Sequence, residues 1–360
     1  MPPGKGLLPR RASLVLFASI MLASVACAAP SAAPTAERAS APPAPAPSGA
    51  TAPQRTPVSA GLAVIGSVSM VVPVTQQLGL FEEQGLDATV TYIQGGARTA
   101  ASVLAGETPI GFAGGQPVIS TQLNGGDLVS IALFVPRFTY EIMAGPGLER
   151  PEQLRGGRLS SSARGGTADM AVQHVAELWG MKADEDFQVL ATGGIAERLA
   201  ALESGQVQAA VVEPPYSVLS RRAGFHSLIN LRDSDYQAPS FGLITTRAYI
   251  ASNEDTVRRF VRATTTAIQR IKTDRAAVRE VLAREFKIDD PEIVEDMLVE
   301  VGDKLMPRAP YPSVRAFENT LRNLALTEPE VARLRAEDLV EPRFIREMEE
   351  DGFLRRLYGE

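Results

Sequence analysis

Six Gly-Gly pairs punctuate this chain, and four of them follow a predicted strand and precede a predicted helix: Gly95-Gly96, Gly114-Gly115, Gly165-Gly166 and Gly193-Gly194. A helix N-terminus leaves backbone N–H groups unpaired and favours negative charge. Glycine at that point lets a ligand come close to the backbone. Each pair taken alone also fits a tight turn. Along the chain Ser67 and Ser69 follow the first strand, Arg98 starts a predicted helix after Gly96, Thr167 follows Gly166, and Glu213 and Tyr216 follow a later strand. Arg98 has a second reading as a solvated first-turn residue, and Arg164 reads as part of a turn. His174 and His226 have no Ser or Cys at a catalytic spacing, so His174, Trp179 and Phe187 read as helix and core residues. A single cysteine excludes a disulfide framework and a Cys-based zinc site, and neither the phosphate-loop nor the dinucleotide glycine signature occurs.

These loops need a frame that carries them to one edge. Short apolar runs alternate with helical patterns, giving expected strands at 62–65, 88–93, 109–113 and 128–135, and again at 157–161, 187–190, 209–212 and 241–245. Helices are expected at 73–84, 98–104, 117–123, 168–180 and 195–203. After residue 245 the chain is mostly helical, with Asn253 and Asp274 as candidate N-caps. Strands alternating with short helices predict parallel sheets covered on both faces. In such sheets ligands bind beyond the carboxyl ends of the strands. The pattern restarts after residue 154, which predicts two α/β lobes with a helical tail packing on the first.

At 45% hydrophobic and 22% charged residues the composition is globular. A net charge of -6 without a basic stripe sets nucleic acid aside as a partner. Residues 1–26 stand apart. Lys5, Arg10 and Arg11 precede an apolar run at 12–26 that is short for a membrane span and reads as a secretory signal peptide. Ser24-Val25-Ala26-Cys27 resembles a bacterial lipobox, in which cleavage leaves a cysteine that is then diacylated. Cys27, the only cysteine, is thus the expected lipidation site; ordinary cleavage near Ala26 or Ala29 is the alternative. Residues 28–57 are dominated by Ala and Pro, which offer no apolar periodicity, and form an expected spacer of roughly 90 Å at full polyproline extension.

Longer motifs place the chain among known proteins. Gly79-Leu80-Phe81-Glu82-Glu83-Gln84-Gly85-Leu86, then Leu104-Ala105-Gly106-Glu107 before Ile110-Gly111-Phe112-Ala113-Gly114, then Leu154-Arg155-Gly156-Gly157-Arg158-Leu159, and finally Ala200-Ala201-Leu202-Glu203-Ser204-Gly205-Gln206 before Glu213-Pro214 form an ordered series. In order and spacing it resembles the periplasmic solute-binding proteins of nitrate/sulfonate/taurine ABC transporters, a group that includes binders of thiamine-pyrimidine precursors. The turn at 161–167 and the tail at 344–353 resemble the same family, so the likeness covers about residues 60–357. It implies an α/β fold of the periplasmic binding protein-like type II class: two α/β lobes around a cleft, with a C-terminal helical extension. Lobe one would take 58–145 and return over 239–360, lobe two would take 146–238, and the crossings would fall near 140–147 and 237–245. The resemblance also implies cleft residues: Ser67, Ser69, Met70, Gly96, Arg98, Gly115 and Gln116 from lobe one, and Ser162, Gly166, Thr167, Gly194, Glu213 and Tyr216 from lobe two. Ser161 and Gly165 stand beside them, and Thr167 takes the place of the family's serine.

The expected function is the extracytoplasmic solute-binding component of an ABC importer. It would be a monomer without enzymatic activity, cofactor or metal, exported to the periplasm or cell surface and tethered to the membrane through Cys27. Its partners would be a small solute and an inner-membrane ABC permease. Helix N-termini, hydroxyls and Arg98 suit a sulfonate-, taurine- or nitrate-like anion. Glu213 would repel a pure anion and accept an amine, so the expected solute is a small organic anion or zwitterion, with a pyrimidine-precursor-like ligand also open. Two rival readings use the same scaffold: a ligand-sensing lipoprotein, and an enzyme related to those of menaquinone or pyrimidine pathways. The chain lacks the Cys-rich motif of the pyrimidine synthase branch, which disfavours that enzyme.

Overall fold

The computed structural model describes residues 55–162, 164, 166–325 and 328–360. The expected signal peptide, Cys27, the spacer up to residue 54, and Gly165 lie outside them. The described residues form ten strands: β1 (Thr56–Leu62), β2 (Leu86–Tyr92), β3 (Ile110–Ala113), β4 (Leu128–Arg137), β5 (Glu141–Ala144), β6 (Arg158–Ser161), β7 (Gln188–Ala191), β8 (Ala209–Val212), β9 (His226–Asn230) and β10 (Gln237–Thr246). They assemble into two sheets, ordered β2-β1-β3-β10-β4 and β7-β6-β8-β5-β9.

Both sheets are buried on both faces, and alternation along single strands shows it. On β8, Ala209 and Val211 join one apolar cluster while Ala210 and Val212 join another. On β10, Phe241 and Leu243 face one core and Ile244 the opposite one. A strand buried on both sides is mostly apolar, and β4 has Leu128, Val129, Ile131, Ala132, Leu133, Phe134 and Val135, interrupted only by the buried Ser130, all nearly without exposure.

The sheets are mixed, which departs from the all-parallel expectation. β1, β2 and β3 run parallel, as do β6, β7 and β8, but β10 pairs antiparallel with β3 and β4, and β5 antiparallel with β8 and β9. Each antiparallel inner strand arrives from the other lobe. The chain leaves β4 and enters the second sheet through β5; it leaves β9 and returns through β10. The spans expected to cross between lobes, 140–147 and 237–245, therefore lie largely in these inner strands, and the links themselves are residues 138–140 and 231–236.

Several boundaries also differ. The first strand is Thr56–Leu62 and not 62–65: Val58, Ala60 and Leu62 alternate into the core, whereas Ile65 is 48% exposed. Its start was hidden by the Pro-rich composition before it. The expected helix at 73–84 is two helices, Val71–Gln77 and Leu80–Glu83, separated by Gly79 in the left-handed region (φ 70°). Asn253 does not start a helix. Thr246 caps one that runs Arg247–Thr273, and Asn253 interrupts it with a non-helical φ of -137°. Asp274 does cap the next helix, Arg275–Phe286.

The helical tail completes the first lobe, as expected. Phe344, Ile345, Met348 and Leu354 enter its main core, and Phe317 and Leu324 of the helix Val314–Leu324 cover the other face of the first sheet. Among the described residues no helix is long and apolar enough to cross a membrane.

Candidate functional site

Parallel strands send their following loops out of one edge. In the first lobe those loops are 63–66, 93–95 and 114–115; in the second they are 192–194, 213–215 and the described residues Ser162, Arg164 and Gly166. The two edges meet. A Cβ placed on Gly66 would lie 3.1 Å from Glu213 Oε1 and 3.9 Å from Ile195 Cδ1, and one placed on Gly114 would lie 3.3 Å from Thr167 Oγ1. Loops after β1 and β3 thus face loops after β8, β7 and β6 across the junction of the lobes.

The helices that follow open on glycine. Gly95, Gly115, Gly166 and Gly194 are the N-caps of Gly96–Leu104, Gln116–Leu123, Thr167–Leu178 and Ile195–Glu203, and none of these helices receives a side-chain cap. Their leading amides are left to other partners. At the last of them the partner is internal, because Glu197 folds back until its Oε2 would sit 2.6 Å from a Cβ on Gly194. That terminus is already faced by an acid.

Hydroxyls supply the second feature. Among the described residues the Oγ atoms of Ser67, Ser161, Ser217 and Ser240 are buried and find no hydrogen-bond partner. Ser67 follows β1, Ser161 ends β6, Ser217 is the fourth residue after Glu213, and Ser240 lies on β10 beside Gly114. Buried hydroxyls are normally paired, so unpaired ones gathered at opposed strand ends form a reserve of donors and acceptors.

Glu213 is the most enclosed acid of the site at 1% exposure. Its Oε2 accepts a hydrogen bond from the Thr139 hydroxyl in the first link between the lobes. Burial lifts its pKa above the usual carboxylate range, against the opposing pull of Thr139, Arg198 and Arg232. Behind it lies Arg198, 4% exposed, which donates to Val211 O at 2.8 Å and to Gly194 O at 3.3 Å, with its guanidinium 5.9 Å from the Tyr140 ring centre. Arg198 therefore ties the start of its own helix to β8. Burial, followed by Glu213, raises the pKa of the Tyr140 hydroxyl.

The other expected residues divide. Ser67, Thr167 and Glu213 come to the junction, Gly96 and Gly166 stand at helix starts, Ser162 is half-buried beside Ser161, and Tyr216 is half-buried as the first residue of the helix Tyr216–Arg222. Met70 does not line the junction: it is fully buried in the first lobe's core, its Sδ next to Gly302. Ser69 serves its own turn, where its Oγ accepts from Gly66 N–H and donates to Gly66 O. The Gly115 N–H is taken by Pro239 O at 2.7 Å, and Gln116 Oε1 accepts from Ser120. Arg98 is exposed, and no ion pair holds it among the described residues.

Sequence reasoning missed Thr139, Tyr140 and Arg198. Arg198 did leave a trace, since it sits at helical spacing with Ala201 and Leu202 on a buried stripe where a cation is out of place. Thr139 and Tyr140 left none, because only the chain crossing brings them to Glu213.

A family model described as "NMT1/THI5 like" matches residues 68–276. The YtlA protein of Bacillus subtilis (strain 168) is 23% identical over 228 residues, covering 62% of this chain and 68% of its own. Among solved structures, the alkanesulfonate-binding protein SsuA from Xanthomonas axonopodis pv. citri bound to MOPS is 20% identical with a TM-score of 0.66, over 81% of this chain and 99% of that one. The periplasmic nitrate-binding protein NrtA from Synechocystis PCC 6803 is 13% identical with a TM-score of 0.69, over 84% and 90%. The fold is that of periplasmic binding proteins, as the order of the motifs led us to expect.

Proposed function

The chain belongs to the NMT1/THI5-like family, and from that premise we propose that it is the solute-capturing component of an ABC importer. In this reading it is an exported binding protein and not an enzyme. It is tethered by lipid at Cys27, closes its lobes on a small organic anion or zwitterion, and passes the solute to an inner-membrane permease. The observation that carries the proposal is the meeting of two sets of strand-end loops over buried, unpaired hydroxyls.

Chemistry at the junction supports the solute class. Uncapped helix starts at Gly96, Gln116 and Thr167 offer N–H donors to an anion. Glu213, which the sequence set against a pure anion, is pushed toward its protonated form by burial and can donate an O–H instead. Two proteins of the same fold bear the names of anion binders, for alkanesulfonate and for nitrate. Lobe closure gives the mechanism: solute shifts an open–closed equilibrium by as much as it binds the closed form better.

A thermal-shift screen with sulfonates, taurine, nitrate, carboxylates and aminopyrimidines tests the reading. A solute at 100 times its Kd stabilises by about 2.7 kcal/mol and raises Tm by a few degrees. Thr167→Ala and Glu213→Ala should each weaken binding of the active compound roughly tenfold or more, with the far-UV circular dichroism unchanged. A panel with no active compound, or unchanged affinity in both variants, rejects the site. Fatty-acid labelling that survives Cys27→Ala rejects the anchor.

A further inference from the structure

Glycine at position 66 is not demanded by its own backbone. Its φ of 169° is extended, a conformation open to any residue. Its surroundings in the first lobe do not demand it either, because a Cβ there would meet, apart from chain neighbours, only Glu213 Oε1 at 3.1 Å and Ile195 Cδ1 at 3.9 Å. Both belong to the second lobe. A second glycine repeats the contact less cleanly: at Gly114 a Cβ would approach Thr167 Oγ1 at 3.3 Å, but also the Ser240 and Pro239 carbonyls at 2.9 and 3.1 Å.

We infer that Gly66 is a closure stop: its bare Cα sets how near the two lobes come, and so how small a solute the closed cleft holds. The opposing surface is firm. Glu213 is 1% exposed, and its other oxygen is engaged by Thr139. A methyl group at position 66 asks Glu213 to yield by a few tenths of an ångström, which a carboxylate tip can do. A branched side chain asks for far more than the tip can give, and the displacement passes to the lobes.

The inference rests on lobe closure as proposed above, and the experiment separates the two. Spin labels go on Ala101→Cys and Ala200→Cys, exposed alanines on the helices Gly96–Leu104 and Ile195–Glu203, in a Cys27→Ser background. Pulsed EPR then measures the distance between lobes without solute and with a panel compound that shortens it, and the solute-bound, closed distance reads the stop. Gly66→Leu should move the distribution to longer distances and Gly66→Ala should move it little. Adding Glu213→Ala to Gly66→Leu should restore the parent distance. A Gly66→Leu distribution equal to the parent's overturns the stop, and so does failure of Gly66→Leu to fold, since either result places the constraint inside the first lobe. In both cases a parent protein whose distance still responds to a panel compound leaves the closure reading intact. A parent distance that no panel compound changes overturns closure and the stop together.

Discussion

His174 is held by its ring alone. It is 7% exposed, neither nitrogen has a hydrogen-bond partner among the described residues, and its ring stacks on Tyr236 with centroids 3.9 Å apart. Tyr236 in turn stacks on Phe138 at 5.6 Å and donates its hydroxyl to Asn319 O at 3.2 Å. Residues 138 and 236 lie on the two links between the lobes, so the imidazole is packed beside both links. Burial lowers its pKa, with Glu177 on the same helix opposing. The unfolded chain therefore takes up this proton first as pH falls. The resulting stability is complete above the unfolded value near 6.5 and is lost as pH drops from there toward the folded value. With two histidines in the chain, an imidazole NMR titration can follow each. His174 should titrate below 6.5, and His174→Phe should flatten the fall of Tm between pH 7 and 5. A normal or raised pKa would contradict the packing.

Helix starts in this protein come in two kinds. Those opening onto the junction begin at Gly95, Gly115, Gly166 and Gly194 without side-chain caps. Several on the outside begin at Thr246, Asp274, Asp290 and Ser313, whose side chains accept from the first turn. A cap stabilises its helix and occupies amides that are otherwise left open. Asp274→Ala should thus cost about 1 kcal/mol in chemical denaturation with the m-value unchanged, and leave the interlobe distance as it was. Glycine punctuation made the strand-end loops legible in the sequence, because it marks a turn wherever a strand hands over to a helix. β5 and β9 were not legible. One is a four-residue strand that begins on Glu141, the other a half-exposed edge strand, His226–Asn230, and both owe their pairing to neighbours distant in sequence. Met70 misled for a related reason: motif position brought it near the loop, but as the residue between the turn at Ser67–Ser69 and the helix Val71–Gln77 it buries its side chain in the core.

At the scale of the molecule the two links are pinned by one guanidinium. Arg232, 3% exposed in the second link, donates to Thr139 O at 2.9 Å in the first, to the buried carboxylate of Glu141, and to Glu300 Oε2 at 3.2 Å in lobe one. Burial alone would raise the pKa of Glu141; Arg232 and Arg221 overcome it and hold that acid below the usual carboxylate range. Arg232→Met leaves Glu141 with Arg221 as its remaining cation and removes the bonds to Thr139 and Glu300, so it should destabilise by about 2–3 kcal/mol in equilibrium denaturation. A loss under 1 kcal/mol would show that the links are held elsewhere. The exchange of inner strands has a consequence for biogenesis. All five strands of the second sheet lie within residues 141–230, an uninterrupted stretch, whereas β4, among the described strands, pairs with β10 and waits for residue 246. A chain emerging N-terminus first can finish its inserted domain while the enclosing one still shows two bare strand edges, those of β3 and β4. β10 is the keystone, and the interval before it arrives is when this protein most needs protection from its neighbours.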